Sequence, residues 1–392
     1  MNSCSYEKFS PFILRAWMAT PESLWWGSSV TDLLVPPQGP SSIVTFSQTV
    51  DTLLGGGVPL GLITELHGVP GVGKTQMALQ LCLDVQIPAQ LGGCGAGAVF
   101  IDTEGGLMPG RLAAMARKVE EHMGRIIAKG PPASYPPAVA AQVSAAAQLS
   151  NVAYARITTL AALCEAITEG LPALLRQRAA QGGGLLPIKL VVIDSLAFHF
   201  RAASELDPGE RTRRLAGLGV ALTRLAQAHG CAVVVTNHMV SQRGDWEGGA
   251  AAAAAAAAGA ATAATAVAAA ASASGGALDP QEALAAALDP ETSRLCPALG
   301  DAWAHYPATR LHLKWDRGCR CVVLAKSLQA GGLPAGVHTG AASGAAGGQQ
   351  AEAAAMQGSG CTLLPPAPFV VQKEGIRGLP IRKPKKAKGG GQ

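Results

Sequence analysis

Residues 67–80 read HGVPGVGKTQMALQ, a glycine loop that turns into a helical pattern with one lysine at the turn. Gly68, Val69, Pro70, Gly71, Val72, Gly73, Lys74 and Thr75 spell Gly-x-x-x-x-Gly-Lys-Thr within it. An apolar run, Leu62–Leu66, comes before, and Met77, Leu81 and Val85 mark one face of a helix over Lys74–Val85. Strand, glycine loop and helix in that order are the setting in which this pattern forms a phosphate cradle. Glycines let backbone amides curl around an anion with no Cβ in the way, and the helix N-terminus adds positive potential. Lys74 supplies a mobile charge to β- and γ-phosphates, and Thr75 offers a hydroxyl to Mg²⁺.

Outward from the loop, buried-strand runs alternate with helical segments. "GAVFIDTEG" leads to a helix over Leu107–His122, "NVAYARI" to a helix over Leu160–Arg178, and "IKLVVIDS" to a helix over Glu210–Ala228, which "CAVVVTNH" follows. This alternation predicts an α/β fold with a mostly parallel sheet and helices on both faces. "ATRLHLKWD", "CRCVVLAKS" and "FVVQKEGIRG" read as closing strands, expected to be antiparallel. Asp194 ends a buried strand, where a parallel sheet presents its ligands, and is the candidate Mg²⁺-side carboxylate. Asp102 and Glu104 also stand at a strand end, and Glu104, past the last buried position, is the better candidate to activate a water.

Composition divides the 392-residue chain. Residues 373–392 carry seven Lys and Arg against one acid, a net +6 in a chain of +5, which leaves the rest at −1. Nucleic-acid affinity in the body must therefore come from local patches. Arg201, Arg211, Arg213 and Arg214 gather just after Asp194, a cluster that suits either a solvated helix start or DNA contact. His238, Arg243 and Arg294 lie on the segment 238–295 that leaves the same edge. The nine cysteines are scattered among apolar runs, as in a reducing compartment. The uncharged stretch 248–278 is nearly all Ala, Gly, Thr and Ser, without the Leu, Ile and Phe content that favours membrane insertion, and no membrane role is expected. The expected organisation is a lead-in over 1–42, a core over 43–376 with low-complexity insertions at 130–150, 248–290 and 330–360, and a basic tail over 377–392.

The stretches "TLLGGGVPLG", "GVPGVGKTQ", "LDVQIP", "VFIDTEG", "VVIDSLAFHFR", "RTRRLAGL", "VVVTNH", "PALGDAWAH" and "RLHLKWDR" together resemble the RecA-type recombinases, in particular the eukaryotic recombination-repair paralogues. The likeness covers about residues 43–326 outside the insertions. It implies a RecA-like P-loop NTPase core that binds ATP and Mg²⁺, with DNA-stimulated ATPase activity. It also implies a nuclear role in homologous recombination and double-strand break repair, assisting strand-exchange filament assembly and junction processing. The implied partners are single-stranded or branched DNA, other recombinase paralogues and the main strand-exchange recombinase. By position, Gly68 to Thr75 hold ATP, Lys74 and Glu104 are catalytic, and Thr75 and Asp194 serve the metal. Arg111 stacks on adenine, and His238 stands where most members place a γ-phosphate-sensing Gln. Segments after Phe198 and His238 match the two DNA loops, which puts Arg201, Arg211, Arg213, Arg214 and Arg243 near DNA. The family's N-terminal helical domain is expected to be missing or vestigial here, since the loop begins at Gly68. The rival expectation is an adaptor that binds ATP and hydrolyses little. A GTPase would need an Asn-Lys-x-Asp guanine reader, which the sequence lacks.

Overall fold

The runs Ile63–Gly68, Ile188–Asp194 and Ala232–Val235 bury nearly every side chain, which strands achieve only when both faces of their sheet are covered. The computed structural model describes residues 40–130, 135–180, 185–203, 206–243, 293–316, 319–327, 367–372 and 375–378. The lead-in up to residue 39, the insertions at 248–290 and 330–360, and the tail from 379 lie outside the described residues.

A two-stranded ribbon, β1 (Ser42–Ile43) and β2 (Val58–Pro59), flanks helix α1 (Gln48–Leu54). Strand β3 (Ile63–Gly68) then enters the main sheet and the glycine loop carries it into α2 (Lys74–Asp84). Next come β4 (Gly97–Asp102), α3 (Pro109–Lys129), the short helices α4 (Pro137–Gln142) and α5 (Ala145–Ser150), and β5 (Val152–Arg156). Helices α6 (Leu160–Glu165) and α7 (Leu171–Ala180) join through a π turn and lead to β6 (Ile188–Asp194). Helices α8 (Leu196–Ala202) and α9 (Pro208–His229) precede β7 (Ala232–Arg243). The described chain resumes with β8 (Ser293–Pro297), α10 (Gly300–Ala304), β9 (Thr309–Asp316), β10 (Cys319–Ser327), β11 (Ala367–Gln372) and β12 (Gly375–Gly378).

The strand order is β12-β11-β10-β9-β3-β7-β6-β4-β5, with β8 paired to the outer length of β7. From β5 to β9 neighbouring strands run parallel, and from β9 to β12 they are antiparallel. Alternation along each strand feeds two cores. Leu190, Val192 and Val234 join Leu79, Leu83, Met115 and Val119 of α2 and α3 on one face. Val191, Ile193, Val233 and Val235 join Leu163 of α6, Leu171 of α7, Leu222 of α9 and Trp303 of α10 on the other. Each such side chain, taken out of water, contributes about 1.5–3 kcal/mol. Glu65, fully buried at mid-sheet, accepts from Asn237 Nδ2 at 2.6 Å and from Arg310 Nε at 2.5 Å, which ties β3 to both neighbours directly below the loop.

Several boundaries differ from the sequence reading. Helix α3 starts at Pro109, whose ring fits the first turn, and its apolar stripe continues through Met123 to end at Lys129. Within 130–150, read as an inserted loop, α4 and α5 pack on α3 and bury Val139, Val143 and Gln148. Alanine-rich composition hid their short apolar spacing. Strand β9 runs parallel to β3 rather than antiparallel, because the chain crosses by way of α10 before entering the sheet; antiparallel pairing begins at β10. "FVVQKEGIRG" is a hairpin, β11 and β12, rather than one strand. Strand β7 extends beyond His238 to Arg243, so the first residues expected to leave as a loop form a ribbon with β8.

Candidate nucleotide site

The glycine loop sits at the C-terminal edge of the parallel strands, where the ends of β3, β4, β6 and β7 converge. Two of its glycines are dictated by space. A Cβ on Gly68 would lie 2.3 Å from the Leu313 carbonyl oxygen of β9. Gly73 has φ of 112°, and a Cβ there would lie 2.9 Å from Val371 Cγ2 of β11. Only glycine allows the chain to turn here into α2 against the closing hairpin.

Lys74, the first residue of α2, is 8% exposed, and its ammonium donates to the carbonyls of Gly68 at 2.9 Å and Val69 at 3.0 Å. Burial pulls its pKa down to about 8, against the upward pull of Asp194 and Glu104. Asp194 is also buried, and accepts hydrogen bonds from the hydroxyls of Thr236 and Thr75. Burial raises its pKa, while those hydroxyls and Lys74 pull the other way. A hydroxyl and a carboxylate side by side are hard oxygen donors of the kind Mg²⁺ takes. The buried ammonium rests on two neutral carbonyls, a setting that an anionic phosphate completes. The residues present therefore fit a magnesium-bound triphosphate.

Glu104 stands just past the end of β4, beside Ser195. Its Oε1 accepts from Ser195 Oγ and lies 2.6 Å from His238 Nε2. Burial alone would raise its pKa, but His238, Ser195 and Lys74 outweigh it and hold the carboxyl below its ordinary value. The turn bearing Glu104 is pinned by Asp102, which is 1% exposed. Asp102 Oδ1 accepts the amides of Glu104, Gly105 and Gly106, at 3.0, 2.6 and 3.2 Å. Its Oδ2 accepts the Leu107 amide and the Tyr154 hydroxyl, and Arg156 bridges to Oδ1 at 3.2 Å. Thr103 closes the gap to β6: its amide donates to the Asp194 carbonyl, and its hydroxyl exchanges hydrogen bonds with the Ser195 backbone.

The structure thus brings together Lys74, Thr75, Asp194, Glu104 and His238. Arg111 is exposed in the first turn of α3. The arginines after Asp194 are spread over α8 and α9. Arg211 donates to the Ala203 carbonyl, while Arg213 and Arg214 pair with Glu210 on the helix surface. Arg201 lies in the last turn of α8, and Arg243 pairs in backbone register with Ser293. Sequence reasoning passed over Ser195, Thr236 and the pinning role of Asp102. A polar residue ending a buried strand was a usable signal for Thr236, since β6 and β7 run in parallel register up to Ile193 and Val235.

A family model described as Rad51 matches residues 41–127 and 138–274. The chain is 32% identical over 285 residues to "DNA repair protein RAD51 homolog 3" of Cricetulus griseus, covering 73% of this chain and 63% of that protein. It is 30% identical over 304 residues to the protein of the same description in Dictyostelium discoideum, covering 77% and 65% respectively. It is also 36% identical over 193 residues to "DNA repair protein XRCC3" of Bos taurus, covering 48% of this chain and 50% of that one. The chain thus spans somewhat less than two thirds of the length of the first two relatives.

Proposed function

The chain belongs to the Rad51 family, and from that premise we propose that it is an ATP-dependent DNA-binding protein of homologous recombination and double-strand break repair. It acts in the nucleus as a recombinase paralogue, assisting assembly of strand-exchange filaments and processing of junctions. It works with other paralogues and with the main strand-exchange protein on single-stranded or branched DNA. The observation that carries the reading is the convergence of Lys74, Thr75, Asp194 and Glu104 at one sheet edge, on the strands that the family match covers.

The chemistry follows from the side chains. The loop amides from Gly68 to Thr75 and the Lys74 ammonium bind the β- and γ-phosphates. Thr75 and Asp194 hold Mg²⁺, which when bound neutralises charge developing on the phosphates. Glu104, kept ionised by its neighbours, orients a water and accepts its proton. Ser195 and His238 both hold Oε1, so the water meets the carboxylate at its other oxygen or displaces one of them. His238 lies where β7 meets the β8 ribbon, at the root of the segment matched to a DNA loop. Arg111 contributes to holding adenine, and Arg201, Arg211, Arg213, Arg214 and Arg243 contribute to the DNA side.

The hold on Glu104 also favours a second reading, an adaptor within a paralogue complex that binds ATP and turns it over slowly. Purification of the chain with its native partners, followed by ATPase assay with and without single-stranded DNA, separates the two. Stimulation by DNA supports the first reading, and ATP binding with no stimulated turnover supports the second. Absence of ATP binding removes both.

A further inference from the structure

The two carboxylates of the site belong to neighbouring strands, but the sheet holds only one of them. Backbone pairing of β4 with β6 ends at Asp102 and Asp194. Glu104 lies two residues past that end, where the ladder no longer fixes its distance from Asp194. The turn that carries it closes on the Asp102 carboxylate, through contacts that run within one segment of chain.

Thr103 supplies the tie across to β6. Its amide donates to the Asp194 carbonyl at 2.9 Å, one further rung in the manner of the ladder. Its hydroxyl then does what a backbone pair would do next. It donates to the Ser195 carbonyl at 2.8 Å and accepts from the Ser195 amide at 2.9 Å. Thr103 and Ser195 are both fully buried, so water is not at hand to replace either bond. A side chain in that place must donate and accept at once, which a threonine or serine hydroxyl does and a valine methyl does not.

Ser195 passes the constraint on. It is the N-cap residue of α8, where a serine hydroxyl ordinarily accepts from the first-turn amides. Here the side chain caps nothing, and its Oγ donates to Glu104 Oε1 instead. Held at that oxygen by Ser195 and also by His238, the carboxylate keeps one orientation.

We propose that Thr103 is a positioning residue for ATP hydrolysis. By gripping both backbone groups of Ser195 it sets where the Ser195 hydroxyl meets Glu104, and so where Glu104 stands relative to Asp194. The inference rests on the reading of Glu104 as the group that activates water. Thr103 acts through Ser195 and not on the nucleotide.

The test uses the native complex, with single-stranded DNA and Mg²⁺. Single-turnover ATP hydrolysis and the affinity of a non-hydrolysable ATP analogue are measured for the native chain, Thr103→Val, Thr103→Ser, Ser195→Ala and the Thr103→Val/Ser195→Ala double variant. Thr103→Val keeps the shape without the hydroxyl; it slows hydrolysis by about 10–100-fold and leaves analogue affinity within about threefold. Thr103→Ser keeps donor and acceptor and restores the rate to within about threefold of native. Because both losses act on one contact, the double variant is no more than about twofold slower than the slower single variant. If Thr103→Val does not fold, Thr103→Cys, a weak donor and acceptor of similar size, takes its place with the same expected split. A rate within about twofold of native without the hydroxyl overturns the positioning role. So does Thr103→Ser as slow as Thr103→Val, an equal loss of rate and analogue affinity, or losses that multiply in the double variant. If the native complex binds the analogue and hydrolyses no ATP, the reading of Glu104 fails and the role of Thr103 with it. If it binds no analogue, the phosphate-loop reading fails as well.

Discussion

Raising the pH should weaken ATP binding through one residue, Lys74. Its ammonium is buried against two carbonyls, and its pKa falls to about 8 when no nucleotide is present. Bound phosphates restore the charged form, so binding takes up a proton once the free site has lost one. With a pKa of about 8, about three quarters of free sites carry the charge at pH 7.5 and about 3% at pH 9.5. If only the charged site binds, affinity falls by about 25-fold over that interval, close to 2 kcal/mol. The terminal phosphate of ATP is fully ionised throughout and adds no slope. Stability of the nucleotide-free chain moves the opposite way. A lysine whose pKa is lowered on folding destabilises the native state at low pH, and that cost disappears as pH rises through about 8 toward its unfolded value. The assay is titration with a fluorescent triphosphate at fixed ionic strength and free Mg²⁺, at half-unit steps of pH. Lys74→Arg, whose guanidinium stays protonated, should flatten the curve. A native affinity that is flat from pH 7.5 to 9.5, or a Lys74→Arg curve as steep as the native one, would refute the argument.

Three further expectations concern the surroundings of that lysine. Asp102→Asn exchanges an acceptor of four turn amides for a group with one acceptor oxygen, and should cost about 2–4 kcal/mol in chemical denaturation with turnover reduced more than ATP affinity. Removing the main partner that holds Glu104 low, by His238→Gln, should move the acid limb of ATP hydrolysis to higher pH, read from a rate profile; an unmoved limb would show that the contact does not tune Glu104. Gly73→Ala forces a side chain into φ of 112° and against Val371, which should lower stability by about 1–3 kcal/mol in thermal unfolding and weaken ATP binding as well.

The glycine loop was legible because its pattern is local: eight consecutive residues carry the turn, the charge and the hydroxyl. Asp194 and Glu104 were legible because buried parallel strands announce where they end. The rest of the site was not, because it depends on register between distant strands. Nothing in the sequence says that His238 and Ser195 meet on one oxygen of Glu104, across separations of 134 and 91 residues. Nor does it say that Asp102 faces back into its own turn while Glu104 faces away from it. The parallel course of β9 was hidden because "ATRLHLKWD" alternates like a strand with one solvated face, and direction is decided by the crossover before it. Helices α4 and α5 were obscured by a run of Ala, Pro and Ser in which Val139 and Val143 are the only large apolar residues between Tyr135 and Leu149.

Occupancy of the Lys74 site is proposed to set affinity for DNA. Its most direct test is fluorescence anisotropy of labelled single-stranded DNA, titrated with the chain in its native complex with and without Mg²⁺ and a non-hydrolysable ATP analogue, beside the same complex carrying Lys74→Ala. Tighter DNA binding with the analogue is expected for the native complex, and no response for Lys74→Ala. Identical DNA affinity with and without nucleotide in the native complex, when the analogue is shown to be bound, would contradict it.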